Sequence, residues 1–175
     1  MVLPPAALDH LCSAVARARR RTVEAVEPRW LPRDALHVTL AFFGNVPDGK
    51  VPALVGALGA VPPPPAIHLR LSGAGTYPAR GAPRALWVGV DGDVGELATL
   101  AREVAAAAET VGVVGANQGR AYRPHLTVGR LPASARADRR LAVALAGYAG
   151  PHFAVDGWVL MRSHPQSRYE MVARW

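Results

Sequence analysis

One short pattern occurs twice: His37-Val38-Thr39-Leu40 and His125-Leu126-Thr127-Val128, 88 positions apart (125 minus 37). Side chains alternate between the two faces of an extended strand, so each copy sets an imidazole and a hydroxyl side by side and turns the intervening Val38 or Leu126 into a core. Two such strands in neighbouring positions would gather two imidazoles of intrinsic pKa ~6.5 and two neutral hydrogen-bond donors on one surface. This repeat constrains the fold more than any other feature of the chain.

A lone His-x-Thr in a strand is usually structural. Here both copies lie in β-type apolar runs with the same parity. They follow charged or turn-forming segments, Pro32-Arg33-Asp34 and Tyr122-Arg123-Pro124, and end at Gly44 and Gly129. Coincidence is a poor account of that. Two histidines of opposite protonation can take a proton from an attacking hydroxyl or water and return one to a leaving oxygen, each contributing roughly 10²- to 10⁴-fold. The threonine hydroxyls would hold the non-bridging oxygens of a phosphate as charge builds there. No metal or other cofactor is required.

At 175 residues and 50% hydrophobic composition the chain can bury one sizeable core, so residues 1–175 are expected to form one domain, built as two intimately packed lobes joined by the run Pro62–Pro65. The net charge of +7 favours an anionic partner. The basic residues are nineteen Arg and one Lys, Lys50, and Arg offers the bidentate fork that phosphate accepts. The lone Cys12 supports neither a disulfide framework nor a Cys-based zinc site. No apolar stretch reaches the ~20 residues of a membrane span, and the N-terminus lacks signal-peptide character, so a cytoplasmic monomer is expected.

Periodicity predicts an amphipathic helix from about Pro5 to Val26, with Leu8, Leu11, Val15 and Ala18 inward and Arg17, Arg19, Arg20 and Arg21 as a solvated face. Further helices are predicted at Lys50–Leu58, at Val94–Val111, and from a Ser134 cap to Ala146. The motif strands are read at Leu36–Phe43 and Tyr122–Leu131. Other strands are read at Ile67–Leu71, Ala85–Val90, Phe153–Met161 and Arg168–Trp175. Each half then runs motif strand, helix, two strands. The expected fold is α+β: a bilobal pseudo-twofold arrangement of two antiparallel sheets with flanking helices, carrying both motifs in a central cleft.

Three segments extend the motifs: His37-Val38-Thr39-Leu40-Ala41-Phe42-Phe43-Gly44-Asn45-Val46, Arg123-Pro124-His125-Leu126-Thr127-Val128-Gly129-Arg130, and the closing pattern from Leu160 through Ser163 to Tyr169. With them the chain resembles the two-histidine (2H) phosphoesterases, and more closely the bacterial and archaeal RNA 2′,3′-cyclic phosphodiesterases, historically called 2′-5′ RNA ligases. The resemblance implies hydrolysis of a 2′,3′-cyclic phosphate end of RNA to a 2′-phosphate, with His37 as proton donor and His125 as proton acceptor. Thr39 and Thr127 would bind the phosphoryl oxygens, Arg130 would add positive charge, and Phe42 would stack on a base. Strict alternation puts Arg130 on the face opposite His125 unless the strand bends or ends at Gly129 or Arg130 approaches from the edge, and it places Phe43 rather than Phe42 on the face of His37.

The family usually opens with a hydrophobic strand, whereas this chain starts at Met1-Val2-Leu3-Pro4-Pro5. Most of that strand is expected to be missing, which would leave a neighbouring strand's edge open. His10, His68, His152 and His164 do not repeat the motif and are read as structural. There is no Walker-type sequence, no GxGxxG after a strand and no GxSxG elbow. Three other functions remain open: cleavage or joining of 2′-5′ linked RNA by the same histidines in reverse roles, hydrolysis of small cyclic nucleotides with a different loop at Gly73–Pro83, and non-catalytic binding of RNA ends.

Overall fold

The structure, a computed structural model, describes residues 1–22, 25–115, 121–132, 138–165 and 168–175. Helix α1 (Pro5–Arg21) starts at a proline, whose missing N–H has no partner to lose in a first helical turn, and buries Leu8, Leu11, Ala14 and Ala18. It stops five residues before Val26. The Thr22 hydroxyl donates back to the Ala18 carbonyl at 2.9 Å, and the Ala25 N–H then turns onto the Thr22 carbonyl at 2.8 Å. A two-residue strand that the sequence did not announce, β1 (Arg29–Trp30), leads to a 3₁₀ turn at Arg33–Ala35.

Helix α2 (Val51–Gly59) precedes the hairpin of β2 (His68–Tyr77) and β3 (Ala85–Gly92). Helix α3 (Val94–Glu109) then buries Leu97, Leu100, Val104 and Ala108 in the expected register. Strand β4 (His125–Arg130), helix α4 (Arg140–Leu145) and strands β5 (Phe153–Ala154), β6 (Val159–His164) and β7 (Arg168–Arg174) complete the chain. The expected cap Ser134 lies outside the described residues. The single strand expected over Phe153–Met161 is two, broken at Gly157, whose φ of +79° suits glycine.

The result is α+β, with two antiparallel sheets: one of order β1-β4-β3-β2-β5 and a two-stranded β6-β7. Strand β2 runs well past the expected Leu71 because Gly73, at φ +64°, absorbs a bulge that restores pairing with β3. One face of the larger sheet carries Leu69, Leu71, Leu86, Val88, Leu126 and Val128, and this face joins Leu11, Leu97 and Leu100 in a continuous core. The opposite face, which carries Tyr77, Trp87, His125 and Thr127, is the one expected from the sequence to line the cleft.

The first motif is not the regular strand expected at Leu36–Phe43. Only His37 and Val38 form bridges: Val38 pairs antiparallel with Leu126, and His37 with Val2. Beyond Val38 the ladder ends, and the Thr39 carbonyl accepts instead from the Tyr122 hydroxyl at 3.0 Å. On the other side Met1–Leu3 meets the edge that was expected to be open. Val38 N–H donates to the Met1 carbonyl at 3.1 Å, and the Met1 amino group donates to the Val38 carbonyl at 2.9 Å.

Val38 and Leu126 are both fully buried, so the seam between the motifs is also a piece of core. Leu126→Ala should therefore lower unfolding free energy by about 2–5 kcal/mol in a urea titration, through lost transfer energy plus a cavity. A loss below about 1 kcal/mol would contradict this packing.

Candidate active site

The Val38–Leu126 bridge sets the geometry of the site. Continuing its antiparallel register by one residue either way puts His37 opposite Thr127 and Thr39 opposite His125. With Val38 and Leu126 buried, alternation turns His37, His125 and Thr127 to the opposite face, and Thr39, one residue past the last bridge, is exposed. Opposite pairs in such a ladder stand ~5 Å apart and diagonal neighbours ~7–8 Å, so the two imidazoles are diagonal, with a threonine hydroxyl facing each.

Both histidines are held in the same tautomer. His37 Nδ1–H donates to the Ala35 carbonyl at 2.8 Å, and His125 Nδ1–H donates to the Arg123 carbonyl at 2.8 Å. A carbonyl can only accept, so Nδ1 carries the hydrogen in each ring and Nε2 is left to exchange protons with a ligand. Each ring is also met edge-on by a tyrosine. Tyr169 of β7 reaches His37 (centroids 4.8 Å, interplanar 72°), and Tyr77 of β2 reaches His125 (5.0 Å, 72°). Each sheet thus braces one histidine.

Trp87 joins this wall at 6.2 Å from His125 and 5.4 Å from Tyr77. Its indole lies across β2 because residue 75 is glycine: a Cβ there would stand 2.3 Å from the Trp87 ring. The sequence reading missed Tyr77, Trp87, Tyr122 and Tyr169 as site residues. Tyr169 lay inside the closing pattern, but Tyr77 fell in a stretch read as loop and its approach to His125 depends on the longer β2.

The conflict over Arg130 is resolved by a bulge. Thr127 pairs with Trp87 but Gly129 pairs with Leu86, so Val128 is the extra residue, and beyond it the parity resets. Arg130, opposite Ala85, returns to the cleft face of His125 and Thr127 and is exposed. For the phenylalanines alternation was the wrong guide, since no ladder continues past Val38. Phe43 packs against the core and Phe42 is 52% exposed.

Burial pushes the His37 imidazole below the ordinary histidine range. Its bond to the Ala35 carbonyl opposes that shift, and neighbouring positive charge, including that of His125, adds to it. Protonating both rings at once is thereby disfavoured. The other histidines have local partners: His10 Nδ1 meets the Tyr148 hydroxyl at 3.1 Å, His164 Nε2 meets Glu170 at 3.1 Å, and His68 Nδ1 lies 3.8 Å from Asp93. His152 is exposed just before β5, and Cys12 is exposed on α1. Among the described residues no group of three or more His, Cys, Asp or Glu side chains is arranged to hold a metal ion, and no helix is long and apolar enough to cross a membrane.

The model of the 2′-5′ RNA ligase superfamily matches residues 7–166. The chain is 34% identical over 152 residues to an RNA 2′,3′-cyclic phosphodiesterase of Geobacillus stearothermophilus, an alignment covering 82% of this chain and 46% of that protein. It is 36% identical over 109 residues to a protein of the same description from Archaeoglobus fulgidus, covering 62% of this chain and 56% of that protein. The chain thus spans about half the length of these relatives. Among solved structures it is similar to TT0787 of Thermus thermophilus (TM-score 0.74, 22% identity, 99% of this chain and 93% of that one). It is also similar to E. coli LigT in apo form (TM-score 0.71, 25% identity, 99% and 91%).

Proximity of the two imidazoles has a spectroscopic consequence. In an NMR titration the His37 ring should protonate with a midpoint below ~6.5, and His125→Ala should move that midpoint upward by removing a neighbouring positive charge. A His37 midpoint indifferent to His125 would contradict the shared cleft.

Proposed function

Because this chain belongs to the 2′-5′ RNA ligase superfamily, we propose that it is a hydrolase opening the 2′,3′-cyclic phosphate at an RNA end to a 2′-phosphate, by general acid–base catalysis between His37 and His125. The supporting observation is the matched pair of tautomers: both rings give their Nδ1–H to a backbone carbonyl, which leaves two Nε2 atoms on the face that also carries Thr39 and Thr127. Nothing in that arrangement asks for a cofactor.

His125 Nε2 takes a proton from water as the water oxygen bonds to phosphorus. The bond from phosphorus to the 3′ oxygen breaks, and that oxygen takes a proton from His37 Nε2, which yields a 3′-hydroxyl and a 2′-phosphate. Thr39 and Thr127 donate to the non-bridging oxygens, whose charge rises toward the pentacoordinate state. Arg130 adds positive charge on the same face, and Phe42, exposed beyond the first motif, stacks on the terminal base. Tyr77 and Tyr169 hold the rings in place, so that binding need not order them. Residues 1–175 act as one domain. We infer a cytoplasmic monomer, whose site draws both histidines and both threonines from one chain.

Burial of His37 sets a sign for the pH dependence. The productive state carries one proton shared between the pair, so kcat/KM follows a bell whose two apparent pKa values belong to the pair. The lower value should fall below ~6.5, the ordinary imidazole value, because desolvation disfavours charge on His37. An RNA oligonucleotide ending in a 2′,3′-cyclic phosphate, incubated with EDTA, should give the 2′-monoester, and His37→Ala or His125→Ala should each lose at least about 10²-fold in rate. Turnover abolished by EDTA, or undiminished in either variant, would overturn the mechanism. Formation of the 3′-monoester, or activity only on 2′-5′ linkages, would overturn the substrate assignment.

A further inference from the structure

We propose that Tyr122 is a positioning residue for Thr39: its hydroxyl holds the first motif's threonine in place for the phosphoryl group at the point where the ladder has stopped. The inference rests on the role proposed above for Thr39 and deepens it.

The two motifs are not held alike. The second lies wholly within β4, where Leu126 pairs with Val88 and Thr127 with Trp87. The first has its last bridge at Val38, and Thr39 stands exposed one residue beyond it. A side-chain rotamer depends on the φ and ψ of its own residue, so a threonine that donates to a phosphoryl oxygen needs both angles fixed. The Tyr122 hydroxyl donates to the Thr39 carbonyl at 3.0 Å, from 83 residues away in the chain. That bond orients the peptide plane that follows Thr39 and thereby fixes its ψ.

The donor is itself well anchored. The Tyr122 ring packs against the core, and its burial pushes the phenol above the ordinary tyrosine range. The hydroxyl therefore keeps its proton over the whole range in which the histidines titrate. Tyr122 also opens the segment Tyr122-Arg123-Pro124 that leads into β4. Pro124 has a fixed φ and disfavours helical backbone at Arg123, whose carbonyl accepts from His125 Nδ1 at 2.8 Å. One short, stiff segment thus holds His125 through a carbonyl and Thr39 through a hydroxyl. A proton acceptor and a phosphate ligand from different motifs are set by the same piece of backbone.

The test is a double-mutant cycle on an RNA oligonucleotide ending in a 2′,3′-cyclic phosphate. Tyr122→Phe keeps the ring in the core and removes the hydroxyl alone. It should lower kcat about tenfold with KM within about twofold, because a misplaced Thr39 forfeits a contact that strengthens toward the transition state. Both apparent pKa values of the pH profile should stay unchanged, since both imidazoles give their Nδ1–H to other groups. In a Thr39→Val background the same Tyr122→Phe change should alter kcat by less than about twofold. A full loss persisting in that background, a shifted pH profile, or a wild-type rate in Tyr122→Phe would overturn the positioning role. NMR relaxation reads the placement without turnover. The Leu40 amide shares its peptide plane with the Thr39 carbonyl, and its order parameter should fall in Tyr122→Phe from ~0.85 toward ~0.6. An unchanged order parameter would overturn the proposal, whereas absence of turnover in the unaltered protein, with the Leu40 response present, would count against the proposed activity alone.

Discussion

The antiparallel bridge between Val38 and Leu126 is the contact on which the rest of this structure depends. Both side chains are fully buried, so hydrophobic burial holds the two motif segments together at the residues between the functional ones. With these two residues in the core, alternation turns His37, His125 and Thr127 outward, and Thr39, one residue past the last bridge, is exposed. A slip of one residue in either segment would send an imidazole into the interior and a valine or leucine into the cleft.

Around that seam the molecule solves one problem twice with different parts. Each imidazole must present Nε2 and keep its plane, and each does so through a carbonyl two residues earlier in the chain and a tyrosine approaching edge-on. The tyrosine for His125 comes from the larger sheet and that for His37 from the small β6-β7 sheet. The second sheet is therefore more than a cover over the core: without β7 the His37 ring would lose its brace. The symmetry is incomplete where it matters chemically, since burial lowers the proton affinity of His37, and two rings that resist simultaneous protonation are suited to moving one proton each way.

Much of this was legible in the chain because it rests on local pattern. Helix α3 appeared from Leu97, Leu100, Val104 and Ala108 alone, and the duplicated His-x-Thr pointed to one shared surface. What escaped depended on irregular backbone. Strict alternation sets Arg130 against the family's basic position, a bend near Gly129 is one of the ways to reconcile them, and the bulge at Val128 that supplies it leaves no mark in composition. The apolar run Leu40 to Phe43 predicts a full strand for the first motif, but pairing partners, not hydrophobicity, decide where a ladder stops. Strand β2 was cut short at its glycines, the very residues that let it continue: Gly73 absorbs the bulge, and Gly75 makes room for Trp87. Tyr77 was lost with it.

The larger claim is that two segments far apart in the chain make one phosphoryl site with four contributing side chains. A crystal structure of the protein with a nucleoside 2′-monophosphate bound addresses it most directly. The account predicts a single phosphate within hydrogen-bond distance of Nε2 of both His37 and His125 and of the hydroxyls of both Thr39 and Thr127. A phosphate seated against one histidine alone, with the other ring turned away or bonded elsewhere, would contradict it.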